Sequence, residues 1–326
     1  MFVAIVSYIF VIIEQKNKPY ICLDTIMQSR SQQTIFAKNA KNITKDVIYQ
    51  ISKIEEELSS EIEGSYISRL NDASGQKWIK ISPDIMQVAQ KILDISQKSM
   101  GIFDPTYFSL FKNNNSKVRS MPDENKLKFV DYHDFIIDEQ NQRFKLENNN
   151  NSASFELVLK GLACQKALEI YKKNNLNCGI VTIGNVIGAF GRKPDNSNWK
   201  ISIKNPSKNS DNIACLQTHD NIIMASSGDK FEKMQIVNPK TGNIVNKNGF
   251  SVSVLCPDGV ISCALSTVFF INGIKNSEEL IKYYGVDVIV VSGKNIFSTS
   301  NLIDKLEIND RSYTKNIIKI GENYEL

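Results

Sequence analysis

The chain mixes helical and strand patterns in an irregular order, and this mixture constrains its fold more than any other feature. Apolar residues recur at helical spacing from Thr44 to Leu58, with Glu55 to Glu57 on the polar side. The run Ser82-Pro83-Asp84 is a helix start signal, and the apolar stripe that follows it continues until Gly101. Two amphipathic helices are therefore predicted in the first third of the chain.

The rest of the chain adds strands between further helices. The predicted elements are a helix from about Gly161 to Tyr171, strands at Cys178 to Ile183, Asn198 to Lys204 and Phe250 to Leu255, a helix near Ile261 to Phe270, a helix from Ser277 to Gly285, and a buried strand at Val286 to Val291. Because the elements do not alternate regularly and no repeat or long linker divides them, the sequence predicts one compact α+β domain. We expect it to span residues 20–302, with residues 303–326 as a peripheral tail.

Residues 1–19 form an apolar N-terminal segment that has two interpretations, a short membrane anchor or a buried strand. The apolar run is shorter than the roughly 20 residues of a membrane-spanning helix, and no positive charge precedes it as in a secretory signal. Cys22 follows Pro-Tyr-Ile rather than the small residues of a lipoprotein cleavage site. Lys16 and Lys18 favour keeping the following chain on the cytoplasmic side. We therefore expect a cytoplasmic protein or one attached to the cytoplasmic face of a membrane.

Charge and residue counts exclude several classes of function. The 39 Lys and Arg against 35 Asp and Glu give a net charge of +4, and the basic residues are scattered, which argues against a nucleic-acid-binding protein. The 2 histidines, His133 and His219, exclude a metal site built from several imidazoles. The 6 cysteines form no C-x-x-C pair, which favours reduced thiols in a reducing compartment.

Two segments in the first half could carry chemistry. Gly101 to Thr106 is either a helix stop with a turn or a pocket edge, where the Asp104 carboxylate lies beside Phe103. Lys160 is predicted at a helix start, where a cation opposes the helix dipole by some tenths of a kcal/mol. A bound anion such as phosphate would explain that placement, and an exposed lysine on a helix edge is the alternative.

Two further segments lie in the second half. Ser226 to Asp229 and Val237 to Gly242 are turn-forming runs, and Pro-Lys-Thr-Gly between two apolar runs is typical of a hairpin. On the helix near residues 261–270, Cys263 and Thr267 are four positions apart and share a face. A cysteine in such a position most often belongs to the core.

The order and spacing of these segments resemble the ApbE family of FAD:protein FMN transferases. The matching segments are Leu23-Asp24-Thr25, Leu58-Ser59, Ser65 to Asn71, Gly101 to Thr106, Lys160-Gly161, Ser227-Gly228-Asp229, Asn238 to Gly242, and Ala264 with Thr267. The resemblance implies a compact α+β domain that cleaves the pyrophosphate of FAD, attaches FMN to a Thr or Ser of a partner protein and releases AMP. It also implies a divalent metal, Mg²⁺, that neutralises the pyrophosphate.

The resemblance also implies site residues. Its FAD-binding positions fall on Ile102, Phe103, Asp104, Lys160 and Val237. Its metal-binding positions fall on the Leu157 carbonyl, Cys263 and Thr267. Cys263 stands where the family has an Asp, Glu61 where an aromatic ring lies near the flavin, and Gln235 where a His is usual, so the catalytic residue stays unknown.

These replacements leave two functions open. A thiol is a poor ligand for Mg²⁺, which binds oxygen, and a neutral amide cannot accept a proton near neutrality as a histidine can. The chain is then either a divergent FMN transferase or an ApbE-type protein that binds a flavin nucleotide or a partner without transfer. A softer metal such as Zn²⁺ at Cys263 is a third idea, although such sites normally gather several thiolates or imidazoles.

Overall fold

The structure is a computed structural model that describes residues 18–111, 121–208, 211–228 and 236–318. The apolar run at the N-terminus, up to residue 17, lies outside the described residues. Asp229, Gln235 and the last residues from 319 onward also lie outside them.

The described strands form one large sheet and two small ones. The strands are β1 (Tyr20–Ile26), β2 (Ser29–Ile35), β3 (Ile79–Lys80), β4 (Phe135–Asp138), β5 (Arg143–Leu146), β6 (Gly179–Ile183), β7 (Val186–Phe190), β8 (Trp199–Lys204), β9 (Asn212–Thr218), β10 (Ile222–Gly228), β11 (Phe250–Cys256), β12 (Asp287–Ser292), β13 (Asn295–Ser298), β14 (Leu306–Ile308) and β15 (Thr314–Ile317). The 9-stranded sheet has the order β1-β2-β6-β7-β10-β11-β12-β13-β15, and the 3-stranded sheets have the orders β14-β9-β8 and β3-β5-β4. All pairings in the large sheet are antiparallel except β13 with β15.

The α-helices begin and end largely where local signals indicate. They are α1 (Ala40–Leu58), α2 (Tyr66–Asp72), α3 (Pro83–Lys98), α4 (Glu156–Lys173), α5 (Gly259–Asn272), α6 (Glu278–Tyr284) and α7 (Ser300–Ile303). The Ser82 side chain caps α3 by accepting a hydrogen bond from the Ile85 amide, and Gly285 ends α6 with a left-handed backbone at φ 60°. The predicted helices before residue 101 and the predicted strands at Trp199–Lys204 and Phe250–Cys256 are confirmed.

The large sheet separates two layers of packing. One face lies against α4 and α5, which form the main core with α1 and α3. The other face packs against β8 and β9 through a second cluster that includes Trp199, Ile201 and Met224. This mixed arrangement of helices and sheets confirms the predicted α+β class.

Two glycines let α4 and α5 cross in backbone contact. A Cβ atom added to Gly161 would lie 2.0 Å from the Gly259 carbonyl oxygen, and one added to Gly259 would lie 2.0 Å from the Gly161 carbonyl oxygen. Real Cβ atoms do not approach oxygen so closely, so only glycine fits at both positions. The crossing brings Lys160 on α4 and Cys263 on α5 to the same end of the core.

The expectation of a peripheral tail after residue 302 is wrong for the described part of that segment. β14 pairs with β9, and β15 pairs with β13 in the large sheet. Leu306 and Tyr313 are buried, so their apolar side chains attach the segment to the second core cluster. The short strands escape detection in the sequence because their pairing partners are distant along the chain.

Among the described residues, no helix combines the length and the apolar character that are needed to cross a bilayer.

Candidate active site

A polar cavity of about 280 Å³ opens at the end of the α4–α5 crossing. Its walls come from the β1–β2 hairpin, α4, the β6–β7 turn, β10 and α5. The polar side chains among its lining residues are Gln28, Ser29, Glu61, Glu156, Lys160, Asn185, Ser227, Cys263, Ser266 and Thr267. A concave site with a few converging polar groups is the usual form of a small-molecule site.

Lys160 lies in this cavity, but the prediction that it opens a helix is wrong. The helix α4 begins at Glu156, so Lys160 is in its second turn and its charge does not oppose the helix dipole at the first turn. Its Nζ donates a hydrogen bond to Asn185 Oδ1 at 3.5 Å, across the cavity. Leu157 and Lys160 share one face of α4 because they are three positions apart.

Carboxylates also line the cavity. Glu156 Oε1 accepts hydrogen bonds from Ser59 Oγ at 2.7 Å and from the Ser60 amide at 3.2 Å, which hold the side chain against the chain after α1. Burial raises the pKa of the nearby Glu55, and the charge of Glu156 adds to that rise. The cavity thus combines the side chain of Lys160 with two acidic side chains, Glu61 and Glu156.

A smaller apolar slot of about 20 Å³ adjoins the cavity. Ile102, Phe103, Asp104 and Val237, four of the predicted FAD-binding residues, line the slot. Its walls also include Leu157 and Thr267, which line the polar cavity as well, so the two spaces are adjacent. The structure therefore places all eight predicted site residues around two adjacent spaces.

Asp104 is a buried carboxylate at the edge of the slot. Its Oδ1 accepts hydrogen bonds from the Thr106 amide at 2.7 Å and from Thr106 Oγ1 at 2.6 Å. Burial raises the pKa of Asp104 to about 6, and the hydrogen bonds from Thr106 and the Tyr132 amide limit that rise. The carboxylate is therefore ionised above about pH 6 and can accept a hydrogen bond from a ligand in the slot.

Two buried cysteines, Cys164 and Cys263, are neighbours in this region. All 6 cysteines are free in the structure. Cys263 Sγ packs close to Gly161 at the helix crossing. Burial raises the pKa of Cys164, and the neighbouring Cys263 adds to the rise, so Cys164 stays a protonated core thiol.

The residues predicted to hold Mg²⁺ line one cavity, but their donor atoms do not suit that ion. Cys263 offers sulfur, and Thr267 Oγ1 already donates a hydrogen bond to the Cys263 carbonyl at 3.2 Å. Mg²⁺ prefers oxygen ligands with carboxylate charge in octahedral geometry. Among the residues that the structure describes, no group of three or more His, Cys, Asp or Glu side chains is placed to hold a metal ion.

Several lining residues were not predicted as site residues. Asn185 lies in the two-residue turn between β6 and β7, and Ser266 Oγ bonds Ser227 Oγ at 2.9 Å between α5 and β10. Met27 and Gln28 reach the cavity from the β1–β2 turn, where both have positive φ. A sequence pattern can predict the two-residue turn between β6 and β7, but it cannot predict how close that turn lies to α4.

Comparisons with known proteins agree with this geometry. A model of the ApbE family matches residues 24–290. The chain belongs to the ApbE family. The FAD:protein FMN transferase of Treponema pallidum is 19% identical over 330 residues, covering 92% of this chain and 91% of that protein. The enzyme of the same name from Buchnera aphidicola subsp. Schizaphis graminum is 23% identical and covers 81% of this chain and 83% of its own length.

Solved structures of ApbE proteins share the fold. The Thermotoga maritima ApbE protein superposes with a TM-score of 0.75 at 21% identity, covering 86% of this chain and 96% of that one. The apo flavinyl transferase ApbE of Pseudomonas stutzeri has a TM-score of 0.73 at 18% identity, covering 90% of this chain and 99% of that one. These likenesses confirm the predicted family and its single compact α+β domain.

Proposed function

We propose that this ApbE-family chain binds FAD across the polar cavity and the apolar slot and transfers its FMN half to a Thr or Ser hydroxyl of a partner protein. The observation that carries the proposal is the adjacency of the two spaces, which share the lining residues Leu157 and Thr267. A dinucleotide has ring systems that suit apolar walls and a pyrophosphate that suits a cation. The relatives named FAD:protein FMN transferase support the same activity.

Lys160 is the residue that we assign to the pyrophosphate. Its ammonium lies in the cavity beside Asn185 and can donate charge-assisted hydrogen bonds to phosphate oxygens. In the transfer step the acceptor oxygen bonds to the phosphorus of the FMN half and the pyrophosphate P–O bond to AMP breaks. AMP leaves with the bonding electron pair, and the hydroxyl proton is released to solvent. Lys160 would offset the negative charge of the phosphates throughout.

Asp104 and its neighbours in the slot would position the nucleotide. Phe103 supplies a buried aromatic wall, and the Asp104 carboxylate is fixed by two bonds from Thr106, so it can accept a hydrogen bond without reorganising. Since Leu157, Cys263 and Thr267 together supply no carboxylate and Cys263 offers sulfur, the proposal contains no metal step.

A second candidate function is flavin-nucleotide binding without transfer. The observation that favours it is the Cys263 thiol in the cavity, which cannot supply the negative charge of the Asp implied by the resemblance. Binding would then depend on Lys160 and the slot alone, and the pyrophosphate would stay intact.

One experiment separates the two functions. The purified chain is incubated with FAD, with and without Mg²⁺, and with a Thr-containing acceptor domain; mass spectrometry then detects FMN-modified acceptor, and chromatography detects AMP. We expect modified acceptor and AMP in equal amounts. FAD binding without either product would overturn transfer and support the binding function, and absence of both binding and product would contradict both functions.

We further propose that the protein works in the cytoplasm or at the cytoplasmic face of a membrane, where residues 1–19 would contact the bilayer. The free state of all 6 cysteines supports a reducing compartment. Separation of soluble and membrane fractions from cells, with and without residues 2–13, tests this location.

A further inference from the structure

A second cavity, of about 90 Å³, lies on the opposite face of the large sheet. Its floor includes Ser226 of β10 and Ser253 of β11, whose hydroxyls bond each other at 2.7 Å. Its wall includes Ser202 and Lys204 of β8. The volume exceeds the roughly 15 Å³ that one water requires, so a small side chain has room there. Hydroxyls can donate and accept, which makes the cavity polar without fixing the charge of its occupant.

The wall of this cavity is an edge strand. β8 is the last strand of the order β14-β9-β8, so within the described residues one of its sides pairs with no other strand. Lys200, Ser202 and Lys204 are exposed while the alternate residues are buried. An edge strand of this kind is a template for an extended peptide, which adds main-chain hydrogen bonds to it and places alternate side chains in pockets.

Asn185 connects this cavity with the polar cavity around Lys160. It lines both spaces at the end of the β6–β7 hairpin. Its Nδ2 donates a hydrogen bond to the Ser226 carbonyl at 2.7 Å, and its Oδ1 accepts one from Lys160 Nζ. A peptide that passes from β8 around this turn therefore arrives beside the lysine assigned to the pyrophosphate.

The positive charge along β8 favours an acidic peptide as the binding partner of this edge. Lys200 and Lys204 are exposed along β8, and Lys208 follows in the next loop, against the single acidic residue Asp211 of that loop. Complementary charge at an interface speeds association and disfavours like-charged partners. An acidic peptide suits this edge better than a basic one.

We propose that an extended, acidic segment of the acceptor protein pairs with the free edge of β8, places a small side chain in the serine-lined cavity and presents its Thr or Ser hydroxyl past Asn185. This inference rests on the proposed function, since it names where the partner of that reaction docks. Its tests measure docking separately from transfer.

The first test uses fluorescein-labelled synthetic peptides of about ten residues, the length of a strand with its flanks. Each has one central Thr, with either Asp or Lys residues beside it. With FAD present, fluorescence anisotropy should show that the Asp-flanked peptide binds at least about tenfold more tightly than the Lys-flanked one. Lys204→Glu should remove this preference, and Lys282→Glu, the same charge change on an exposed residue of α6, should keep it. Equal binding of both peptides, or equal effects of both variants, would overturn the proposal.

The second test is hydrogen exchange, which does not depend on any variant folding. The Asp-flanked peptide should slow exchange of the β8 amides, with no change at β15, which is an edge of the large sheet. Protection of β8 without FMN attachment to any acceptor would support docking and contradict transfer. FMN attachment to an intact acceptor domain that leaves β8 unprotected would overturn docking and leave the transferase proposal standing.

Discussion

The apolar slot and the polar cavity share Leu157 and Thr267, yet they depend on different parts of the sequence. The slot is an edge of the core, with walls such as Phe103 and Val237 that are buried as part of folding. The chemistry of the cavity depends on single polar residues on helix faces, above all Lys160 and Cys263. A cavity shape therefore persists as long as the fold does, whereas the charge inside it can change with one substitution.

The largest effect should come from the helix crossing that supports both regions. Gly161→Ala places a Cβ 2.0 Å from the Gly259 carbonyl oxygen and forces α4 and α5 apart. We expect the free energy of unfolding to fall by about 3 kcal/mol, measured by urea denaturation. Lys166→Ala, a partly exposed position on the same helix, is the control and should change little. A loss below about 1 kcal/mol for Gly161→Ala would show that the crossing is not tight.

The buried carboxylate of Asp104 in the slot should make the free energy of unfolding depend on pH. The pKa of Asp104 is raised from its ordinary 3.8 to about 6, so the folded state holds this proton more tightly than the unfolded state. The contribution of Asp104 to the free energy of unfolding is largest below about pH 4, falls as the pH rises to about 6 and stays constant above that pH. The wild type should lose up to about 3 kcal/mol more than Asp104→Asn across that range.

Urea denaturation at a series of pH values checks this prediction for Asp104. The control is Gln87→Ala, at an exposed position of α3 that carries no titratable group, which should keep the pH profile of the wild type. Parallel profiles for the wild type and Asp104→Asn would contradict the assignment.

The cavity should show its dependence on one cation. Lys160→Met keeps the aliphatic stem but removes the charge, so FAD affinity should fall about ten- to hundredfold, the worth of a hydrogen bond to a charged group. Isothermal titration calorimetry measures the change, and Lys166→Met on the same helix is the matched control. If Lys160→Met binds FAD with unchanged affinity, Lys160 does not contact the nucleotide.

Cys263, the residue that the family resemblance aligns with a metal ligand, can be tested by a change of ligand chemistry. Cys263→Asp supplies a hard anionic oxygen to the cavity, so FMN transfer by this variant should become Mg²⁺-dependent and rise by about tenfold when Mg²⁺ is added. Cys263→Asn has a similar shape without the charge and should give no gain. If Cys263→Asp folds and binds FAD but gains no more than Cys263→Asn, the position does not serve a metal in this chain.

The smallest effect should come from restoring an aromatic ring. Glu61→Tyr places a ring at the cavity wall, where the family resemblance implies an aromatic residue, and stacking is worth about 0.5–1.5 kcal/mol. FAD affinity should rise a few-fold in a fluorescence titration. Glu63→Tyr, at an exposed position nearby, is the control, and an equal rise in both variants would assign the effect to general surface apolarity.

The elements that were predicted correctly from the sequence are those whose ends carry local sequence signals. The capping serine of α3 and the glycine after α6 are visible in the sequence, and those helix ends were predicted correctly. The start of α4 was missed because its N-cap, Phe155, makes no side-chain capping bond. β15 was missed because its pairing with β13 is non-local and its four residues are too few to show the alternating pattern that predicts a strand.

The candidate site shows the same limit. The segment at Phe103 and Asp104 and the face shared by Cys263 and Thr267 were predicted from motif and spacing, and the structure places them together. The position of Asn185 between two cavities depends on how a hairpin packs against α4, which no local pattern records.

The most direct test of the account is the affinity of the wild-type chain for FAD, measured by calorimetry with and without Mg²⁺. If the cavity binds the nucleotide without a metal, as proposed, one FAD should bind saturably per chain with the same affinity in both conditions. Binding that requires Mg²⁺, or no binding in either condition, would contradict the central claim.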